Sequence, residues 1–192
     1  MDATEMFLWR HERMGAHLAR LTENLNEDQL RERVLPSVNP LTWLLWHVAR
    51  AEDGAVNLLV FDGHEVLDDA WCARLDVTRR DAGTGMTMHE VVELSSRIRL
   101  PALFEYAASV AEHTRGLVNT LNPSDLDEVV DGDRVHRAVV KLSAEPTRDD
   151  LERLWQKTTR GQFLVWLPLT HTYEHIGQAG LIRGLLGHQD RF

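Results

Sequence analysis

Residues 164–186 read LVWLPLTHTYEHIGQAGLIRGLL, and their periodicity decides the fold. Leu164, Leu167, His171, His175, Gln178, Ile182 and Leu185 recur at spacings of three and four, which places them on one face of a long helix. Such a face is expected to be buried, yet two imidazoles and an amide interrupt it. A buried polar group without a partner costs roughly 2–7 kcal/mol. The stripe therefore needs something inside the molecule to satisfy it, and a metal ion is the simplest candidate. His171 and His175 lie about 6 Å apart along the axis and about 40° apart around it, so both can reach one ion. Such pairs also arise without function in a chain holding 10 histidines. The competing reading is two satisfied core residues, bonded to backbone carbonyls or to one another through Gln178.

The same periodicity recurs toward the N-terminus. Phe7, His11, Met14, Leu18, Leu21 and Leu25 predict an amphipathic first helix over residues 4–25, interrupted at Asn26 and Asp28. A second begins at Asn39-Pro40, where Asn caps and Pro suits the first position; Leu41, Leu44, Leu45, Val48, Ala51, Ala55 and Leu58 carry it to about residue 60. Residues 61–85 hold Asp62-Gly63 and Gly83-Thr84-Gly85 and read as a long connection with one short helical turn. Thr87 caps a third helix, and Pro101 starts a fourth that Asn122-Pro123 ends. Residues 134–142 read as a short strand or as an irregular crossing segment. The last helix runs from about Arg160, with a bend at Pro168 and a stop at Gly187. The expected fold is all-α: a four-helix bundle with long connections between helices two and three and between the fourth and last, in one domain over residues 1–192.

Composition narrows the function classes. A chain of 192 residues that is 43% hydrophobic can build one real core. Its formal charge of -9, with no basic tract, argues against a nucleic-acid backbone as partner. Cys72 is the single cysteine, so no internal disulfide forms, and no apolar run resembling a signal peptide opens the sequence. A reducing cytoplasm fits best. No apolar stretch approaches the ~20 residues that span a bilayer, so no membrane partner is expected.

A metal reading needs a third ligand. His47, within Trp43-Leu-Leu-Trp-His47, lies at the edge of the second helix's apolar face and is the best candidate; its competing reading is a histidine packed against tryptophan. Three neutral nitrogens from two helices would leave coordination positions open, as a catalytic site does and a closed structural one does not. Cys72, beside Trp71, reads as a buried inert thiol. His171-Thr-Tyr-Glu174-His175 also matches the inverted zinc-peptidase pattern His-x-x-Glu-His, with Glu174 as general base. That family takes its third ligand well downstream, and Asp190 is the one acid after His175. Glu174 projects about 60° to one side of His171, which suits a residue that flanks the site. His11 reads as a satisfied core histidine, and His64, His89, His113, His136 and His188 as mostly exposed. Trp43, Trp46, Trp155 and Trp166 read as core, with a pocket lining as the alternative.

Three stretches together resemble the DinB/YfiT-like superfamily: Asn39-Pro-Leu-Thr-Trp-Leu-Leu-Trp-His47, the Asp-Asp-Ala-Trp71 connection, and His171-Thr-Tyr-Glu-His175-Ile-Gly-Gln178. The similarity runs from the second helix to the end. It implies a four-helix bundle in which His47, His171 and His175 hold a divalent ion, zinc or nickel being expected. Some relatives are S-transferases or isomerases, among them maleylpyruvate isomerase, that use a low-molecular-weight thiol such as mycothiol or bacillithiol. The resemblance thus implies a small-molecule thiol and an electrophile as partners, with a non-catalytic metal-binding bundle or a hydrolase using Glu174 as the other readings. Relatives are often homodimers, which leaves this chain's oligomeric state open between monomer and homodimer.

Overall fold

The structure is a computed structural model that describes residues 1–188; Asp190 lies outside the described residues. It is all-α. In chain order the helices are α1 (Ala3–Thr22), α2 (Glu27–Arg31), α3 (Leu41–Gly54), α4 (Asp69–Leu75), α5 (Met88–Arg97), α6 (Leu100–Val118), α7 (Gly132–Leu142), α8 (Arg148–Trp155), α9 (Arg160–Leu164) and α10 (Thr172–Leu185). Among the described residues β-structure is limited to two isolated bridges, Thr84 with Ser143 and Val129 with Thr159. No helix among them is long and apolar enough to cross a membrane.

Helix α3 is the centre of the molecule. It packs on α6 and α10, while α1 packs on α10 and α6. Every residue of α3 is buried, so its polar members must find partners inside. The Arg50 guanidinium bonds Asp53 at 2.8 Å, Glu65 at 2.5 Å and Tyr106 at 3.1 Å, and Asp53 also accepts the N–H groups of Val66 and Leu67. This buried network pins the 61–82 connection to α3. His11 of α1 meets Glu52 at 2.8 Å through Nε2 and is a buried core histidine, satisfied on that side while its Nδ1 has no hydrogen-bond partner.

Two expectations need correction. Residues 134–142 lie in a helix, neither strand nor irregular: Asp131 accepts the Arg134 N–H at 2.9 Å, and Val135, Ala138, Val139 and Leu142 form the buried stripe of α7. Its run of valines obscured a helical period, because β-branched residues also suit strands. The second correction concerns the stripe of residues 164–186. Val165–His171 forms a π-helical stretch enclosing Pro168. Proline has no N–H and clashes with the carbonyl four residues back, so the helix widens around it. The hydroxyls of Thr170 and Thr172 bond the carbonyls of Val165 and Leu167 at 3.1 and 3.5 Å. A π-turn inserts one residue and rotates everything after it by about 100° against a continuous α-helix. In α10 the buried positions Thr172, Ile176 and Ala179 each stand one residue after the expected His171, His175 and Gln178, Ile182 is buried as its spacing predicts, and Gln178 and Leu185 are exposed. His171 and His175 consequently sit at the edge of the core, beside a cavity.

Candidate metal centre

Helix α3 supplies His47, and the π-to-α junction of the last helix supplies His171 and His175. Their three Nε2 atoms converge: His47 lies 3.0 Å from His171, and His175 lies 3.1 Å from His171. Among the described residues this is the one group of three or more ligating side chains close enough to share an ion.

The hydrogen bonds on the far side of each ring set the protons. His47 Nδ1 donates to the Ala82 carbonyl at 2.6 Å, and His175 Nδ1 donates to Gln178 Oε1 at 2.9 Å. A carbonyl oxygen only accepts, so both rings carry their proton on Nδ1 and turn an Nε2 lone pair inward. One proton on His171 Nε2 cannot serve both lone pairs well, and His171 Nδ1 is buried without a partner. A divalent cation satisfies all three nitrogens at once, and rings anchored through Nδ1 are oriented as metal-ligating imidazoles are. The residues present therefore fit the ion.

Burial reinforces this state. It pushes the His47 imidazole from 6.5 to about 4, despite the opposing bond to Ala82, and His171 to about 3, with help from its histidine neighbours. His175 is lowered as well, chiefly by burial, although Gln178 and Glu174 oppose the shift. Neutral imidazole is the ligating form, so the three histidines could take an ion at neutral pH without first losing a proton.

A strap of backbone positions His47. Arg50 Nη2 bonds the Arg80 carbonyl at 2.5 Å, Ala82 N–H donates to Leu142 at 2.8 Å, and Ala144 N–H donates to Thr84 at 3.1 Å. Gly83 has φ 86°, and a Cβ there would stand 3.1 Å from Trp43 Nε1; only glycine lets the strap come this close. Trp43 in turn stacks on the His47 ring with centroids 4.5 Å apart.

The three histidines and Glu174 line a cavity of about 480 Å³. Glu174 is exposed at its rim and has no hydrogen-bond partner among the described residues. Trp43, Trp155 and Trp166 line it too, whereas Trp46 is fully buried core. A larger cleft of about 660 Å³ beside Phe7, Leu121 and Thr158 holds no ligating cluster, so donor chemistry and not volume identifies the site. Cys72 is buried, with its pKa raised by that burial, and stands outside the cluster, as an inert thiol should. His64, His89, His113 and His136 are exposed, while His188 is half-buried against Gln29. The sequence signal for the strap was the Gly83-Thr84-Gly85 turn; nothing in it pointed to Ala82 as the carbonyl that orients His47.

The all-α fold and the three-histidine centre together fit a metal-binding protein. The DinB superfamily model matches residues 10–179, and the chain belongs to that superfamily. A solved structure of a conserved protein from Enterococcus faecalis is similar over 97% of this chain and 99% of that one, with a TM-score of 0.71 and 19% identity. At that identity the likeness speaks for the fold alone. No curated protein matches the chain.

Proposed function

We propose that this protein is a metal-dependent enzyme, a low-molecular-weight-thiol S-transferase or isomerase of the mycothiol type, working on small molecules in the cytoplasm with zinc or nickel. The observation that supports it is a set of three neutral nitrogens facing an accessible cavity instead of being sealed by a fourth side chain. A divalent ion held by His47, His171 and His175 would supply the positive charge that favours thiolate over thiol near neutral pH. Ala82 and Gln178 keep the two outer rings aimed inward. Glu174, at the rim, accepts the thiol proton. The sulfur then bonds to the electrophilic carbon, the leaving group departs with its electron pair, and Glu174 returns the proton to it.

The test is elemental analysis followed by turnover of a panel of thiols and electrophiles by the loaded protein. About one metal per chain is expected, lost in His47→Ala and His171→Ala. Full metal retention in both variants, or no turnover of any pair, overturns the reading. A second reading, metal-assisted hydrolysis, rests on the Glu174 carboxylate lining the same cavity. Ester hydrolysis that Glu174→Gln abolishes without loss of metal would favour it.

A further inference from the structure

Helix α9 and the segment before α7 enclose a second cavity, separate from the metal centre. Two backbone bonds tie the chain together there, from Val130 N–H to the Thr158 carbonyl at 3.0 Å and from Arg160 N–H to the Glu128 carbonyl at 2.9 Å. Gly161 lets α9 come this close, since a Cβ there would stand 2.9 Å from the Leu126 carbonyl oxygen. Phe7 of α1 closes another side and is fixed by its stack on His11, with ring centroids 5.5 Å apart. Phe7, Leu121, Leu126, Leu164, Val165 and Trp166 give the cleft of about 660 Å³ its apolar walls. That volume falls within the range usual for small-molecule sites, about 300–1,000 Å³. Walls held by backbone bonds and packed rings stand in place before a ligand arrives, which lowers the ordering cost of binding.

The polar groups of the cleft narrow what it can hold. Thr158 lines it and is 9% exposed, yet its hydroxyl has no hydrogen-bond partner among the described residues. A hydroxyl both donates and accepts, so it suits a ligand hydroxyl or carbonyl. No arginine, lysine or histidine lines the cleft among the described residues, and the ionisable side chain that does is Asp127, exposed and without an ion pair among them. The neighbouring Glu128 is answered by Arg160 at 2.9 Å. A divalent ion on His47, His171 and His175 would lie in the other cavity, with Trp166 lining both. An anion in the cleft is drawn by that ion and repelled by Asp127, a cation the reverse, and either gives up hydration against apolar walls. An uncharged molecule meets neither cost.

We propose that this cleft is a second binding site, for an uncharged, largely apolar small molecule with one hydroxyl or carbonyl directed at Thr158. It is distinct from the cavity that would take the thiol, and the argument for it does not depend on the thiol reading.

The test uses the metal-loaded protein and N-phenyl-1-naphthylamine, an uncharged probe whose emission rises in apolar surroundings. About one probe per chain is expected. Ala3→Trp and Val165→Trp fill the cleft from exposed lining positions and should weaken the probe by about ten-fold or more. Leu154→Trp, at an exposed position of the metal cavity, should leave it unchanged. 1-Naphthylmethanol should displace the probe at a concentration about ten-fold or more below that needed by 1-naphthoate. Thr158→Val should weaken 1-naphthylmethanol by about three- to ten-fold and leave 1-ethylnaphthalene unchanged. The proposal is overturned by any of three results: no probe binding, binding that neither filling variant weakens, or displacement by 1-naphthoate as effective as by the alcohol. Equal weakening of the alcohol and the hydrocarbon in Thr158→Val overturns the role given to its hydroxyl. None of these outcomes touches the thiol reading, which stands or falls on metal retention in His47→Ala and His171→Ala and on turnover.

Discussion

Replacing Arg50 with methionine removes a fully buried guanidinium while keeping most of the apolar stem, so the change isolates the charge. The guanidinium makes five hydrogen bonds: to Asp53, Tyr106 and Glu65, and two to the Arg80 carbonyl at 3.1 and 2.5 Å. After the substitution Asp53 keeps Tyr106, Asn57 and two backbone N–H groups, and Glu65 keeps Lys141. Both carboxylates nevertheless stay buried with less opposing charge. Breaking a buried ion pair by removing one partner costs about 3–5 kcal/mol. At roughly 2–4 °C per kcal/mol for a chain of this size, the melting temperature should fall by about 6–20 °C. The strap also loses its anchor at Arg80, two residues before the carbonyl that orients His47. Loss of support behind a metal ligand weakens binding by about 10–100-fold; Arg50 acts one step further out, so the low end is expected. Calorimetry on loaded and chelator-treated protein reads the first effect, and competition with a chelating dye reads the second. Tyr106→Phe is the control: it removes one hydroxyl from the network and leaves the bonds to Arg80, so stability drops by about 1–3 kcal/mol with metal affinity unchanged. A loss below 1 kcal/mol for Arg50→Met, or metal affinity equal to the parent's, would refute the reasoning.

Gln178→Leu removes the acceptor for His175 Nδ1 from an exposed position, so metal affinity should drop about 10–100-fold while the urea midpoint stays within error; unchanged affinity would mean that Gln178 does not orient the ring. In chelator-treated protein the depressed His47 and His171 groups bind fewer protons than in the unfolded chain below pH 6.5. Stability should thus be full above pH 6.5 and fall as pH drops toward about 4 and about 3, by roughly 3 kcal/mol for His47 alone; denaturant titration across that range checks it, and a flat profile contradicts it. His11 behaves oppositely. Burial lowers its pKa, but Glu52 outweighs this and the net direction is up, so its contribution is present below pH 6.5 and lost as pH rises through the folded value; His11→Gln should remove that step from the stability profile.

The sequence alone determined more than the element list. Apolar spacing gave away the long helices, because a helix that packs on one side must repeat its apolar residues every three or four positions whatever it packs against. His47, His171 and His175 were legible for a related reason: polar residues at the margins of such stripes need partners, and three imidazoles share one chemistry. Other features depend on contacts between distant segments. The π-turn around Pro168 moved the first three buried positions of α10 by one residue, to Thr172, Ile176 and Ala179, an outcome that a periodicity carried straight through the proline misses. The valine-rich run of α7 became a helix because Asp131 caps it and its apolar face finds the core. Ala82 orients His47 through a backbone carbonyl, and a carbonyl carries no residue-type signal. The tryptophan walls come from α3, α8 and the π-turn, which are far apart in sequence. Which face each residue presents to the cavity is settled only when the helices dock, since docking alone brings residues tens of positions apart within contact distance.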